Sequence, residues 1–274
     1  MAGPVYFISD AHLGSSADPA TDAPRLERLI PFLHAVRDRR AEHLYIVGDL
    51  FDFWFEYTHV MPWRHARILG EIRAVVDAGV PVTFLGGNHD WWAGPVFEEF
   101  AGMTVHRDAL TVEHQGRRVF LHHGDGLASQ GDSGYMVLKA VLRNRVVIRL
   151  LRLVHPDLAY SLGHRLSRFS RQHLTGSAFR LAPAVAAYVD QRLAEGHDAV
   201  AMGHLHTRYA ERRPDGRLFI LGDWMTIFSA LRLEGGEFTW EDWSSGAGVD
   251  VPEMAPPAYG GHGDEVKATD PGSV

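Results

Sequence analysis

Cysteine is absent from the 274 residues of this chain, and its absence excludes several kinds of site. There can be no disulfide framework, no thiolate zinc site and no cysteine nucleophile. The chain also lacks an apolar run of about 18 to 20 uncharged residues, which a membrane-spanning helix requires. No export is expected, because residues 5–8 form a strand-like run where a signal peptide would have its basic and apolar regions. We therefore expect a cytoplasmic protein that is soluble or peripheral on a membrane.

Charge is unevenly distributed along the chain. The formal net charge of −7 argues against a nucleic-acid partner. Residues 133–180 nevertheless contain nine basic side chains against one acid, Asp157, which gives this segment +8 and leaves −15 for the rest. The nine are Lys139, Arg143, Arg145, Arg149, Arg152, Arg165, Arg168, Arg171 and Arg180. A basic segment in an acidic protein indicates a local anionic partner.

Strand-like and helical runs alternate through the first 90 residues. Buried-strand patterns at 5–9, 44–47 and 80–85 are separated by helical patterns at 25–37 and 64–78. This order predicts an open α/β sheet whose ligands lie beyond the carboxyl ends of the strands.

The second half of the chain is richer in strands. Strands are predicted at 111–113, 118–121, 199–202, 218–221 and 226–233, with a hairpin through Gly235 and Gly236 into a last strand at 238–243. From Gly246 the sequence is rich in glycine, proline and charge and has no periodicity. We predict one catalytic domain over residues 1–245 and a disordered tail over residues 246–274.

Five short polar motifs each follow a predicted strand. They are SDAHLG, GDLFD, GNHD, HHGD and GHLH, and their candidate metal ligands are Asp10, His12, Asp49, Asn88, His123, His204 and His206. Residues two apart in an extended strand end point the same way, so Asp10 and His12 can share one ion. Oxygen and imidazole ligands without thiolates suit Mn, Fe or Zn. A carboxylate can bridge two such ions, which then promote attack on phosphorus.

Each motif alone also has an ordinary structural interpretation. An isolated Asp-x-His is a weak signal, GNHD can be a turn, and GHLH can be two histidines with structural partners. The five motifs together, each at a strand end, favour the metal hypothesis. Strand alternation points His122 away from the site. Ten other histidines are predicted to be surface or cap residues: His34, His43, His59, His65, His106, His114, His155, His164, His173 and His197.

The set D-x-H, GD-x-x-D, GNHD, HGD and GH-x-H resembles the calcineurin-like metallophosphoesterase superfamily over about residues 4–243. The resemblance implies an α/β fold, a two-sheet sandwich flanked by helices. It implies one metal ion on Asp10, His12, Asp49 and His206, and a second on Asp49, Asn88, His123 and His204. It also implies that Asn88 and His89 contact the substrate, that His89 acts as general acid or charge stabiliser, and that Asp90 orients His89. Asp52 would support the ligands.

The basic segment is predicted to form helices. Arg145, Arg149 and Arg152 fall at i, i+4 and i+7 beside an apolar stripe, and a second helix is expected over about 158–173. An amphipathic cationic helix pair can hold acyl chains and place its arginines near phosphates. We interpret residues 133–180 as an inserted basic helical cap, although a solvated hairpin or a dimer interface remains an alternative.

The motif GDLFDFWFEY and the basic insertion resemble the UDP-2,3-diacylglucosamine diphosphatases of lipid A synthesis. That resemblance implies hydrolysis of the substrate pyrophosphate to UMP and 2,3-diacylglucosamine 1-phosphate, with two divalent ions, typically Mn²⁺. It implies substrate contacts at Asp132 and Tyr135, with Ser167, Arg168 and Arg171 as further candidates. The best-known members have GNRD where this chain has GNHD, so His89 stands in place of an arginine.

The partners implied are a nucleotide-linked lipid and the cytoplasmic face of the inner membrane; the sequence indicates no oligomeric state. Aromatic residues near the motifs, namely Phe53, Trp54, Phe55, Trp91 and Trp92, line either the pocket or the core.

An alternative function is a soluble phosphodiesterase for cyclic or dinucleoside substrates. A non-catalytic interaction module is a third possibility, but it predicts missing ligands, and every motif is intact.

Overall fold

Strands and helices alternate in the first part of the chain, and strands dominate its last part. The computed structural model describes residues 2–16, 18–127, 133–172, 181–251 and 258–259. In chain order the elements are β1 (Val5–Ile8), α1 (Ala23–Asp38), β2 (His43–Val47), α2 (Ala66–Asp77), β3 (Val82–Leu85), β4 (Thr104–His106), β5 (Leu110–His114), β6 (Arg117–His122), α3 (Ser133–Leu142), α4 (Arg145–Leu151), α5 (Pro156–Gln172), α6 (Pro183–Ala194), β7 (Ala199–Met202), β8 (Thr207–Arg213), β9 (Gly216–Leu221), β10 (Ser229–Glu234), β11 (Glu237–Asp242), β12 (Val249–Val251) and β13 (Ala258–Tyr259).

The strands form two sheets. The first has the order β12-β11-β10-β1-β2-β3-β4 and the second the order β13-β8-β9-β7-β6-β5. Strands β1 to β4 run parallel in the first sheet, and β6, β7 and β9 run parallel in the second. Parallel strands direct their carboxyl ends to one edge of a sheet, where ligands of open α/β sheets bind. The polar motifs follow these strands.

The alternation of side chains along β1 explains how the layers pack. Val5 and Phe7 lie between the two sheets, whereas Tyr6 and Ile8 face α1 and α2 on the outside of the first sheet. Helix α6 covers the outside of the second sheet through Val185, Val189 and Leu193. The predicted two-sheet α/β sandwich flanked by helices is confirmed.

The described part of the insertion, residues 133–172, contains three helices, α3, α4 and α5, where two were predicted. Asn144 separates the first two because its backbone is extended and its side-chain oxygen accepts the backbone N–H groups of Val146 and Val147. Such a side chain caps a new helix and does not continue the previous one. Among the described residues, no helix combines the length and the apolar character needed to cross a membrane.

Two short strands lie within residues 246–274, the tail that we predict to be disordered. Strand β12 pairs with β11 through Val251 and Trp240, and β13 pairs with β8 through Ala258 and Arg208. Backbone N–H and C=O groups of an edge strand accept another strand without requiring side-chain periodicity, so the pattern of the tail gave no signal. The division at residue 245 and the limits of the cap stay predictions.

Candidate metal centre

The seven predicted ligands come from five strand-end segments and converge at one edge of the sandwich. Asp10 and His12 follow β1, Asp49 follows β2, and Asn88 follows β3. From the second sheet, His123 follows β6, and His204 and His206 follow β7. Six of the seven fall into two groups whose ligand atoms lie within 4.8 Å of one another, namely Asp10, His12 and His206 in one group and Asp49, His123 and His204 in the other.

The first group surrounds the carboxylate of Asp10. His12 Nε2 lies 3.6 Å from Asp10 Oδ1, and His206 Nε2 lies 3.7 Å from the same oxygen. The second carboxylate oxygen of Asp10 accepts the backbone N–H of His204 at 2.8 Å. One oxygen of Asp10 is therefore used to hold the loop, and the other faces the two imidazoles.

Asp49 lies between the two groups. Its Oδ2 is 3.6 Å from His12 Nε2 and 3.2 Å from His123 Nε2. His123 Nε2 is also 3.2 Å from Asn88 Oδ1, which brings the amide oxygen into the second group. Oδ1 of Asp49 accepts the backbone N–H of His89 at 3.0 Å. A carboxylate in this position can contact ions in both groups.

The backbone at the ligands is unusual. Asp10, His12, Asp49, His204 and His206 all have positive φ angles, between 44° and 70°. For residues other than glycine this conformation costs about 1 to 3 kcal/mol at each position, and it persists only where surrounding contacts enforce it. Backbone hydrogen bonds between the loops supply those contacts, from Asp10 N to Gly48 O at 3.1 Å and from His12 N to Asp49 O at 3.0 Å.

Buried polar atoms without partners fit a cation at this edge. Among the described residues, Asp10 Oδ1 and His12 Nε2 are buried and have no hydrogen-bond partner. Burial raises the pKa of Asp10, but the neighbouring His206, His12 and His123 lower it to about 2. An ionised, buried carboxylate facing imidazole nitrogens needs a positive charge beside it. Divalent ions meet that need with the oxygen and nitrogen ligands present here.

The second group shows the same demand for positive charge. Burial lowers the pKa of His123, but the adjacent Asp49 raises it well above its usual range. His123 Nδ1 lies 2.9 Å from the backbone oxygen of Val47, which fixes the orientation of the ring. A Cβ on Gly87 would overlap the carboxylate of Asp49, so this glycine allows the two motifs to approach.

The resemblance implies that Asp90 orients His89, and this role stays a prediction. The carboxylate of Asp90 accepts the backbone N–H groups of Asp49, Phe51 and Gly87 at 3.0 to 3.2 Å and so holds the two motif loops together. The ring of His89 is held through Nδ1, which lies 2.7 Å from the backbone oxygen of Asp52. Its Nε2 is 3.9 Å from Asp49 Oδ2.

Two side chains beside the ligands were not predicted. Asp223 Oδ2 lies 3.6 Å from His206 Nδ1, and the same carboxylate accepts backbone N–H groups of residues 225–227. The signal was a Gly-Asp pair after a strand, as in the other motifs. His164, predicted to be a surface histidine, lies 3.3 Å from Asp52 Oδ2, and Asp52 Oδ1 is 3.5 Å from His12 Nδ1.

Three other histidine predictions agree with the structure. His122 contacts Tyr188 of α6, on the side away from the ligands, which confirms the alternation argument. His65 and His197 are buried, and both lie at helix ends, in agreement with their prediction as surface or cap residues: His65 is the N-cap residue of α2, and His197 Nδ1 lies 2.6 Å from the backbone oxygen of Arg192 in the last turn of α6. His65 packs against the rings of Phe51 and Trp54, and burial lowers its pKa to about 3, so the imidazole is neutral.

The aromatic residues after the motifs divide between core and insertion. Trp54 is fully buried and packs on Phe51 and Phe97 in the core. Phe53 contacts Tyr160 of α5, and Trp92 Nε1 donates to the backbone oxygen of Leu142 at 2.9 Å. These aromatics therefore attach the insertion to the loops that hold Asp49 and Asn88.

The predicted substrate contacts on the insertion are only partly described. Asp132 lies outside the described residues. Tyr135, Ser167, Arg168 and Arg171 belong to α3 and α5, but their side chains are outside the described part of the structure. Their roles stay predictions.

Comparisons with known proteins agree with this geometry. The model of the calcineurin-like phosphoesterase family matches residues 3–208. The chain belongs to that family. The fold of this phosphoesterase implies a centre of two divalent metal ions, and the two side-chain groups are its candidate ligands. The chain is accordingly a metal-dependent hydrolase of phosphate esters or anhydrides.

Curated relatives match most of this phosphoesterase. It is 33% identical to a UDP-2,3-diacylglucosamine hydrolase of Porphyromonas gingivalis, over 86% of this chain and 95% of the relative. It is 32% identical to a protein of the same name from Ectopseudomonas mendocina, over 85% of this chain and 96% of the relative. It is also similar to the solved structure of an archaeal phosphodiesterase, with a TM-score of 0.46 and 14% identity, over 87% of this chain and 99% of that chain.

Proposed function

We propose that this phosphoesterase hydrolyses the pyrophosphate of UDP-2,3-diacylglucosamine to UMP and 2,3-diacylglucosamine 1-phosphate. The observation that carries the proposal is the convergence of the two ligand groups, with Asp49 between them. The names of the relatives in Porphyromonas gingivalis and Ectopseudomonas mendocina support this substrate.

The ligand assignment follows the two groups. Asp10, His12, Asp49 and His206 would hold one ion, and Asp49, Asn88, His123 and His204 would hold the other. Oxygen and imidazole ligands without thiolate suit Mn, Fe or Zn, and among these we propose manganese for both ions because the resemblance to the diphosphatases implies it. When bound, such a pair supplies an activated water and balances charge on the phosphoryl oxygens.

His89 is the residue that we propose for contact with the reacting phosphate. Because a backbone carbonyl can only accept, His89 Nδ1 donates to the oxygen of Asp52, and Nε2 then has the free lone pair. Burial lowers the pKa of His89 to about 4 although Asp49 raises it, so the ring is neutral at neutral pH before a phosphate binds. An arriving phosphate anion favours the protonated ring, which then stabilises the negative charge. In this role His89 replaces the arginine of GNRD-type relatives.

A large cleft beside the centre supports a lipid substrate. It has a volume of about 880 Å³ and lies between the loop after His12, the segment around Trp63 and the first half of α5. Its wall includes Met61, Pro62 and Tyr160, which are suited to apolar chains. His164, which lies beside Asp52, connects the cleft to the ligand loops. We propose that the acyl chains lie in this cleft.

The outer surface of the insertion supports peripheral binding to the cytoplasmic face of the inner membrane. Seven large apolar side chains on or beside α3, α4 and α5 are exposed: Val137, Val141, Val146, Leu150, Leu153, Leu158 and Leu162. Exposed apolar side chains concentrated in one segment are typical of a surface that binds a membrane or a partner. Each nearby basic side chain adds about 1 kcal/mol of attraction to an anionic membrane.

One assay separates this proposal from a soluble phosphodiesterase. Purified protein with Mn²⁺ is given UDP-2,3-diacylglucosamine, and UMP release is compared with cleavage of bis(4-nitrophenyl) phosphate under the same conditions. We expect kcat/KM to be at least about 10³-fold higher for the lipid substrate, since remote binding energy is used in catalysis. A higher value for the diester would reject the lipid substrate and favour the alternative.

A further inference from the structure

A second cleft shares no lining residue with the proposed acyl cleft. It has a volume of about 340 Å³, and we call it the basic cleft because Arg107, Arg143, Arg145 and Arg152 line it together with Trp91 and Trp92. None of the seven predicted metal ligands lines it. Arg107 comes from the loop after β4, whereas the other three arginines come from the insertion. Folding therefore brings together like charges that are distant in sequence.

The short helix α4 has two faces, and only one of them belongs to the basic cleft. Arg145, Ile148 and Arg152 are spaced i, i+3 and i+7 and line the cleft. Val146, Leu150 and Leu153 are spaced i, i+4 and i+7 and are exposed, with Leu153 82% accessible. The arginines of the cleft face are thus distinct from the apolar face that we propose meets the membrane.

The guanidinium groups in the cleft are incompletely neutralised. Arg143 Nη2 lies 3.2 Å from Asp125 Oδ2. Within the described part of the chain, Arg107, Arg145 and Arg152 form no ion pair with a carboxylate. Arg107 and Arg152 donate only to backbone oxygens, those of Ala93 and Glu56, each at 3.3 Å.

Two acids line the cleft, and one of them is already engaged. The carboxylate of Glu56 accepts the backbone N–H groups of Gly94 at 2.7 Å and Val96 at 2.8 Å. Burial raises the pKa of Glu56, whereas its hydrogen-bond donors and the charge of Arg152 lower it. Asp108 is the other acid, and its single negative charge is smaller than the three positive charges of Arg107, Arg145 and Arg152. The cleft retains an excess of positive charge.

Two of the arginines are held in place by the indole of Trp91. The guanidinium of Arg143 lies 4.8 Å from the ring centroid, and that of Arg107 lies 5.6 Å from it. Cation–π contacts of this kind fix flexible side chains before a ligand arrives, which lowers the entropic cost of binding. The positive charges of the cleft are therefore partly preorganised.

We propose that the basic cleft is a second binding site, separate from the metal centre, for a phosphate or diphosphate group. Several planar guanidinium groups around a small cleft match the multiple oxygens of such an anion better than single surface lysines do. The phosphate can belong to a soluble diphosphate or to the headgroup of an anionic phospholipid, because the apolar face of α4 is adjacent. The site goes beyond the proposed reaction, which uses the metal centre and the acyl cleft.

The first arm of the test uses inorganic pyrophosphate and the full chain in a buffer with chelator, so that no metal ion competes for the probe. Isothermal titration calorimetry compares wild type with Arg107→Gln, Arg145→Gln and Arg149→Gln. Arg149 is exposed on the same helix but does not line the cleft, so it is the matched control. We expect about tenfold weaker binding for each of the first two variants and a change within about twofold for the control.

The second arm identifies the source of the phosphate. Co-sedimentation with vesicles of phosphatidylglycerol and phosphatidylcholine is compared with vesicles of phosphatidylcholine alone. A lipid headgroup as ligand predicts that Arg107→Gln and Arg145→Gln weaken binding to the anionic vesicles more than Arg149→Gln does. Equal vesicle binding by all three variants, with weaker pyrophosphate binding by the first two, identifies a soluble ligand.

The proposal is overturned if Arg107→Gln and Arg145→Gln bind pyrophosphate like wild type, or if Arg149→Gln loses as much affinity as they do. Circular dichroism of each variant checks that the fold is intact. Hydrolysis is not measured in either arm, so a negative result here leaves the proposed reaction untouched.

Discussion

The metal-binding edge of the sandwich and the helical insertion differ in how their side chains are covered. Asp10, His12 and Asp49 are almost completely inaccessible to solvent. Hydrogen bonds between loops hold their backbones in a left-handed conformation. On the insertion, by contrast, Leu150 and Leu153 are 59% and 82% accessible. Contacts within the chain fix the geometry of the edge, whereas the insertion exposes apolar side chains to solvent.

A narrow set of contacts joins the two regions. Tyr160 OH donates to the backbone oxygen of Phe55 at 3.0 Å, and Tyr57 OH donates to the oxygen of Val154 at 3.1 Å. Gly163 packs so closely on Phe53 that a Cβ there would overlap the ring. From the difference between the regions we expect catalysis to depend on the metal-binding edge, and substrate choice to depend on the position of the insertion relative to the ligand loops.

The largest expected effect is on the edge itself. Asp49→Ala removes the carboxylate that lies between both ligand groups. We expect hydrolysis of both the lipid substrate and the small diester to fall by at least about 10³-fold. Bound manganese, measured by atomic emission after gel filtration, should fall as well.

Asp157→Ala is the control for that experiment, because it removes a carboxylate from the exposed start of α5. It should retain wild-type metal content and activity on the diester. Full activity of Asp49→Ala on either substrate would contradict the metal hypothesis.

A smaller loss of activity should follow from a substitution that alters the contact between the insertion and the sandwich but leaves the metal ligands unchanged. Gly163→Ala adds a methyl group that meets the ring of Phe53, so either that ring or α5 must shift. Misplacement of about 1 Å at a binding element can lower a rate by about 10²-fold, and we expect a loss of ten- to hundredfold on the lipid substrate. Cleavage of the small diester, which needs no acyl cleft, should change little. The two kcat/KM values report these effects.

Gly70→Ala in α2 is the matched control, since no atom lies within 4 Å of the Cβ that it adds. Both substitutions replace a helical glycine by alanine, which by itself favours the helix. Equal loss of activity in the two variants would show that the contact with Phe53 does not matter.

The two regions were also unequally predictable from sequence. The ligands could be predicted because each lies directly after a buried strand, and parallel strands bring such positions to one edge. The hydrogen-bond partners of Asp90 could not be predicted, because they are backbone N–H groups of two different loops. His164 was missed for a similar reason, since its contact with Asp52 spans the distance from the insertion to the sandwich. Local patterns carry no information about which distant backbone meets a side chain.

A third test of the difference between the two regions uses the exposed apolar side chains of the insertion. Leu150→Glu puts a charge on the apolar face of α4 and should lower co-sedimentation with anionic vesicles by about five- to tenfold. Val249→Glu is its control, because Val249 is 55% accessible but belongs to an edge strand of the sandwich. Equal loss of vesicle binding in both variants would mean that charge, and not the position on α4, determines attachment.

The smallest expected effect is on how the free energy of unfolding of the sandwich depends on pH. Burial lowers the pKa of His43 to about 4, and His114 adds to the shift, whereas a histidine in the unfolded chain titrates near 6.5. The unfolded state therefore binds more protons over this range, so the free energy of unfolding should decrease as the pH falls from about 6.5 to about 4.

His43→Gln can keep a contact with Thr83, which lies 2.8 Å from His43 Nε2, but it cannot titrate. Urea unfolding at several pH values should show a shallower decline for this variant than for His59→Gln, whose side chain is exposed in the wild type. Identical pH dependence in the two variants would mean that His43 is not one of the groups through which acid weakens the sandwich.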